Sequence, residues 1–239
     1  EAAVRFARLR DHAHSVLADI GLADALTATG DFEEALRIYA RARMRASQRG
    51  LELQLAMIDE SVALLDLARG RYREALAGLA SARSRYQTLA VPHCLAIAEK
   101  QLADAYLELR LLPEAHALFD TAVQRFGELE LPDEAAWALA QRARTEALMG
   151  QAAAAAPSLV EASALFERQG NAVGSAAVAL AQAELALAGG QARAALGHAE
   201  QARRGFDAAG QADGQARAEV LCAQAQWLAG HRAEAERGF

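Results

Sequence analysis

Apolar positions recur at helical spacing along almost the whole chain. Between residues 52 and 69 they fall at Leu53, Met57, Leu64 and Leu67, the period of an amphipathic helix. Gly70 stops that run, as glycine does at a helix C-terminus. A second run over 72–89 puts Leu76, Leu79 and Tyr86 on one face. This two-helix unit then repeats every 40 residues. The glycine after the first helix stands at Gly30, Gly70, Gly150, Gly190 and Gly230, with Arg110 in the remaining slot. Five residues on there is always an alanine: Ala35, Ala75, Ala115, Ala155, Ala195 and Ala235. A second turn column holds Gly50, Ala90, Glu130, Gly170 and Gly210. Two more columns, Ala2 to Ala202 and Phe6 to Phe206, stay in phase without an insertion.

Helix pairs this poor in bulky side chains cannot bury a face alone, so the units must stack. Pro113 sits just inside a helix start, and Pro92 and Pro132 are expected in the loop before a first helix. Pro157 falls inside a second helix and predicts a late start or a kink there. Phase also reads the ends. Residues 1–10 match the tail of an earlier second helix, and five whole units follow: 11–50, 51–90, 91–130, 131–170 and 171–210. Residues 211–239 read as a unit lacking its last part. With no polar cap at either end, the expectation is a single solenoid excerpted from a longer protein.

Alanine accounts for 63 of the 239 residues, which explains how 53% hydrophobic content coexists with 5% aromatic. That composition favours helix and excludes disordered, collagen-like and disulfide-framework chains. No apolar run is long enough to span a membrane, so no membrane partner is expected. The net charge of −6 disfavours nucleic acid. Cys94 and Cys222, far apart in sequence, suit a reducing, cytoplasmic compartment. Charge thins after residue 150. Small side chains packing tightly would account for this, and so would an apolar face covered by the rest of a parent protein.

Candidate chemistry is sparse. The histidines are His12, His14, His93, His116, His198 and His231, and no metal-protease helix, C-x-x-C or phosphate-cradling loop accompanies them. No catalytic residue, metal ligand or cofactor is assigned. His116 replaces leucine in its column, which predicts a half-buried, packed or hydrogen-bonded imidazole, with a switch role as the alternative. Cys222 occupies a core column and reads as packing. Arginines recur at Arg5, Arg45, Arg85 and Arg125, and acids at Asp19, Asp59 and Glu99. Folding each hairpin about its turn predicts a ladder Arg5–Asp19, Arg45–Asp59 and Arg85–Glu99, each exposed pair contributing under about 1 kcal/mol. The rival is a basic strip for an acidic partner or nucleic acid.

The repeats resemble tetratricopeptide (TPR) units. The A-x3-aromatic-or-Leu half is kept in Ala35–Tyr39, Ala75–Leu79, Ala115–Phe119, Ala155–Leu159 and Ala235–Phe239. The small position of the other half is Ala23, Ala63, Ala103, Ala143, Ala183 and Ala223. The period of 40 rather than 34, and the missing closing proline, depart from the family pattern. The resemblance implies an all-α solenoid of antiparallel helix pairs wound as a right-handed superhelix, with first helices lining a concave groove. Its groove positions map onto Ile20, Asp24, Thr27, Glu60, Leu64, Leu67, Lys100, Asp104, Leu107, Arg144, Leu148, Glu184, Leu187, Gln224 and Trp227. The two-lysine, Asn-rich clamp that some TPR domains use on carboxylates is not kept, since Lys100 stands alone and Asp24 and Asp104 replace the asparagines. The acidic and apolar groove of the first three units suits a basic or amphipathic peptide. The longer period resembles arrays in bacterial CHAT-domain (caspase-like) proteases and maltose-regulator-type transcriptional activators. The expected role is a non-catalytic scaffold or sensor that binds a partner protein or peptide. In a protease it would regulate the CHAT domain, and in an activator it would sense a ligand or inhibitor.

Overall fold

The computed structural model describes residues 11–230. Among them are eleven α-helices and no strand. They are α1 (His12–Ala28), α2 (Phe32–Ser47), α3 (Glu52–Ala68), α4 (Tyr72–Thr88), α5 (Pro92–Glu108), α6 (Leu112–Glu128), α7 (Pro132–Leu148), α8 (Ala152–Gln169), α9 (Ala172–Ala188), α10 (Ala192–Ala208) and α11 (Ala212–Leu228). Odd-numbered helices are the first of each pair and even-numbered ones the second.

One turn joins them all. A residue of positive φ stands every 20 positions, at Gly30, Gly50 and Gly70 and again at Gly150, Gly170, Gly190, Gly210 and Gly230. Ala90, Arg110 and Glu130 take the three intervening slots, with φ of 52°, 60° and 54°. The next residue returns its N–H to a carbonyl five positions back: Asp31 to Leu26 at 2.9 Å, Arg71 to Asp66 at 2.8 Å, Leu111 to Tyr106 at 2.9 Å. This is the Schellman closure, which needs a left-handed residue. The residue that closes one helix then leads the next. Its side chain caps that helix at Asp31 and Asn171, whereas Leu51, Arg71, Leu111 and Gln151 make no such bond. The backbone turn, rather than a capping side chain, therefore sets most helix limits.

The prolines fit this geometry with two corrections. Pro92 and Pro132, expected in a loop, are the first residues of α5 and α7. A missing N–H is harmless there, because the first donors of a helix have no intrahelical partner. Helix α8 does not start late: it begins on schedule at Ala152 and runs through Pro157. Packing holds this segment helical, since Ala155 is fully buried and Leu159 is 3% exposed.

The packing divides the chain into residues 1–105 and 106–239, each described by itself. In the first unit α1 packs on α2, α2 on α3, α3 on α4, and α1 directly on α3. In the second, α6 packs on α7, and the series continues pairwise to α11, with α7 on α9 and α9 on α11. The alanine columns are the contact seams: Ala35, Ala75, Ala115, Ala155 and Ala195 are all 0% exposed, as are Ala42, Ala82, Ala122, Ala162 and Ala202. Tyr86, Phe126 and Phe166 fill the gaps between them, also at 0%. Phe166 meets Trp137 edge-on with ring centroids 5.0 Å apart. The seams tolerate no added bulk. A Cβ at Gly78 would lie 2.7 Å from the Ala63 Cβ, and one at Gly205 would lie 2.8 Å from the Ala176 Cβ.

The three non-glycine turn residues hold a conformation that costs an L-residue about 1 kcal/mol or more. Arg110→Gly and Glu130→Gly are each expected to raise the stability measured by urea titration by up to about 1 kcal/mol, with helical circular dichroism unchanged. Gly150→Ala, at the same position of the next turn, is expected to lower it.

Candidate interaction faces on the first helices

The arginine–acid ladder forms in a register different from the expected one. Arg45 does not reach forward to Asp59. It turns back to Asp19 on the first helix of its own pair, 2.7 Å away, and Arg41 joins it at 3.5 Å. Arg85 likewise pairs back with Asp59 at 3.5 Å and not with Glu99. The forward pairs come from arginines two residues earlier, Arg43 with Asp59 and Arg83 with Glu99, the latter at 3.2 Å. Counting from the turn explains the shift. Arg43 stands seven residues before Gly50 and Asp59 nine after it, whereas Arg45 stands only five before. Arg43 is therefore nearer to level with Asp59. Arg5 lies outside the described residues, and with it the expected Arg5–Asp19 pair. The acids are deeply placed, Asp19 at 3% exposed and Glu99 at 0%, while the arginine side chains stay about 40% exposed.

In the first unit the first-helix acids Asp24 and Glu60 are tied to buried tyrosines. The Tyr39 hydroxyl donates to Asp24 Oδ1 at 2.5 Å, and the Tyr86 hydroxyl to Glu60 Oε2 at 2.5 Å. Burial pushes both phenols well up, and the neighbouring carboxylates push in the same direction. Burial also lifts the Glu60 carboxyl to about 7, with nearby Asp24 adding to the rise and the Tyr86 bond opposing it. Glu60 Oε1 is enclosed and without a hydrogen-bond partner. Thr27 bonds back to the Ala23 carbonyl at 2.9 Å. Lys100 and Asp104 pair along α5 at 2.8 Å. Leu64 and Leu67 are half-buried. Ile20, at 4% exposed, is core and leaves the groove set; Leu107, also at 4%, leaves it for the same reason.

The tyrosines were expected only as apolar plugs. Their signal is chemical: Tyr39 and Tyr86 occupy columns otherwise filled by Leu, Phe or Ala, and a buried phenol needs a hydrogen-bond acceptor.

In the second unit Arg144 on α7 donates to Glu184 on α9 at 2.9 Å, and Arg217 on α11 approaches the other carboxylate oxygen at 3.6 Å. Beyond them lie Leu148, 37% exposed, and a cleft of about 440 Å³ lined by Leu187, Gln224, Trp227 and Leu228. Elsewhere in this unit His116 is half-buried between two acids, with Nε2 at 3.1 Å from Glu146 and Nδ1 at 3.4 Å from Asp120. Arg142 bonds Asp120 at 3.0 Å and Ser158 at 2.8 Å. The His116 contact gives the buried Glu146, which stands where Tyr106 stands one repeat earlier, a polar partner. Arg142 and Ser158 carried no repeating pattern and were not anticipated.

Cys94 and Cys222 are free, half-buried thiols, and burial pushes both up, away from the reactive thiolate. Among the described residues no group of three His, Cys, Asp or Glu side chains could hold a metal ion. No described helix is long and apolar enough to cross a membrane.

No family profile matches the chain, and no curated protein matches it. Solved structures do. BtubC (BKLC) from P. vanneervenii is 20% identical, with a TM-score of 0.64, covering 93% of this chain and 87% of that one. Aspartyl phosphate phosphatase F from Bacillus subtilis reaches a TM-score of 0.81 at 12% identity, covering 100% of this chain and 61% of that one. A Rap protein complexed with Competence and Sporulation Factor gives 0.62 at 13% identity, over 98% of this chain and 74% of that one. TPR-like repeats of a kinesin light chain from Podosopora anserina give 0.59 at 20% identity, over 75% of this chain and 89% of that one. Likeness at these identities establishes the fold: an all-α, TPR-like solenoid of antiparallel helix pairs.

Two outcomes follow from this geometry. Arg43→Ala and Arg85→Ala should each cost under about 1 kcal/mol, since Asp59 keeps one partner, while the double variant should cost more than their sum in urea titrations. Glu60 has its folded carboxyl raised above an ordinary glutamate, so its contribution to stability is present below about pH 4.5 and is lost as pH rises through about 7. Wild type should therefore lose up to about 3 kcal/mol between those pH values relative to Glu60→Gln. Equal pH dependence of the two proteins would remove Glu60 as the cause.

Proposed function

We propose that this chain is a non-catalytic interaction scaffold that takes a protein or peptide on the faces of its first helices. The observation that carries this reading is the exposure of large apolar side chains on those helices beside charged groups: Leu148 on α7, with Trp227 and Leu228, each about half exposed, on α11. Large exposed apolar surface beside polar groups is the mark of an interaction site. The fold adds support, since a Rap protein of this architecture was solved in complex with Competence and Sporulation Factor. The polar clusters also favour binding over chemistry. Tyr39 is committed to Asp24, Tyr86 to Glu60 and Ser158 to Arg142, so these hydroxyls are tied into the packing of the helices. Two free, poorly ionised thiols suit a reducing cytoplasm.

In the finer reading the array belongs to a larger bacterial protein and regulates a CHAT protease domain. The alternative parent is a transcriptional activator whose array senses a ligand or inhibitor. Both rest on the 40-residue period. The adjoining coding sequence distinguishes them: a His/Cys dyad domain supports the first and a helix-turn-helix the second.

Binding is tested by placing a photo-crosslinking residue at Leu148 or Trp227 on first helices, and at Val160, 68% exposed on second helix α8, and irradiating the native host. One discrete adduct from positions 148 and 227, absent from position 160, is expected. Adducts confined to position 160 would put the partner on the other face. Reversing Asp24 or Glu60 is a poor test, because each holds a buried tyrosine hydroxyl.

A further inference from the structure

The first helices of the second unit carry a local cluster with more arginine than acid, where those of the first unit carry Asp24 and Glu60. Arg144 and Arg217 converge on one carboxylate, Glu184, which is the one acid that pairs with either guanidinium among the described residues. The trio keeps a net positive charge. Burial and the neighbouring Arg144 both disfavour the Arg217 cation, and Glu184 opposes them. The trio is also accessible, the Arg217 side chain being 49% exposed and that of Arg144 23%.

The cleft adjoins this trio along the same helices. Leu187 is one turn beyond Glu184 on α9. On α11, Gln224 lies seven residues beyond Arg217, which is two helical turns on the same face, and Trp227 and Leu228 follow. Among the described residues that line the cleft, Leu187, Trp227 and Leu228 are apolar and Gln224 is polar. The face thus presents a cationic end and an apolar end about 10 Å apart along a helix. A ligand matched to it has carboxylates at one end and a large apolar side chain roughly two helical turns away.

We propose that this face binds an acidic amphipathic helix of a partner protein. Its carboxylates lie against Arg144 and Arg217, and one bulky apolar side chain enters the cleft of Leu187, Trp227 and Leu228. This rests on the reading that first-helix faces carry the partner, and it names the partner's chemistry. It differs from the basic peptide that the acids of the first three repeats suggest. Helix in groove supplies affinity through the apolar anchor, and the two guanidiniums supply orientation and association rate. Glu184 acts against the ligand, because it competes for both arginines.

The test titrates the whole chain with a short helical peptide bearing glutamate on one face and leucine on the other. A second peptide with lysine in place of glutamate serves as the control. Binding is read by calorimetry and by the tryptophan emission of a Trp137→Phe variant, which leaves Trp227 as the sole reporter. The glutamate peptide is expected to bind and shift the emission, and the lysine peptide to bind at least about tenfold more weakly. Arg144→Gln with Arg217→Gln should weaken binding about tenfold or more, and Leu187→Ala should weaken it as well. Glu184→Gln should tighten it, an outcome that a merely structural role for the trio would not produce. Thermal melts confirm that each variant is folded. Preference for the lysine peptide with an unchanged Trp227 response to Glu184→Gln would overturn this inference while leaving the first-helix reading intact. Binding of the glutamate peptide that ignores every one of these substitutions would overturn both.

Discussion

A single turn, repeated, holds the architecture. A helix ends on a residue of positive φ, the following N–H closes back across the helix end, and the same residue opens the next helix. Because no linker among the described residues exceeds four residues, consecutive helices within each unit lie antiparallel and close together. The turn recurs every 20 residues, so each helix meets its neighbours at the same level in every repeat. The alanine columns follow from that regularity. Positions that face a neighbouring helix at close range in every repeat admit nothing larger than a methyl group, and where Gly78 meets Ala63 and Gly205 meets Ala176 even an added Cβ would be too close.

This regularity also decides where polar groups can go. A first helix lies against the second helices before and after it, so an acid at its centre faces arginines from two sides. Asp59 is held by Arg43 on one flank and Arg85 on the other. Burial of a carboxylate is tolerable only when such partners are present. The same logic explains the tyrosines. Their rings fill the gaps that phenylalanine fills elsewhere, and their hydroxyls reach the acids on the first helices. Asp24 and Glu60, which read as groove charges by position, therefore spend part of their hydrogen-bonding capacity on the core.

The polar groups of the first helices are consequently tied more closely to the core in the first unit than in the second. Glu60 sits enclosed with one oxygen unpartnered and its carboxyl near neutrality in pKa. Changing it alters folding. Around Arg144, Glu184 and Arg217 the side chains are partly exposed and pair with one another rather than with a core hydroxyl.

The sequence by itself determined the helix pairs, their 40-residue period, the glycine turns and the buried alanine and aromatic columns, because each is a local or strictly repeating property. It also placed a half-buried imidazole, packed or hydrogen-bonded, at His116 in a leucine column. Only the tertiary structure decided which partner each side chain took. The ladder shifted by two residues because level across a hairpin depends on the turn and on the reach of an arginine, neither of which a column reveals. Ile20 and Leu107 left the groove because burial depends on the neighbouring helix. Helix α8 kept its start despite Pro157 because packing outweighed one lost hydrogen bond. The pairing of Arg144 with a glutamate 40 residues on was invisible for the same reason: its charges belong to single repeats, and stacking alone brings them together.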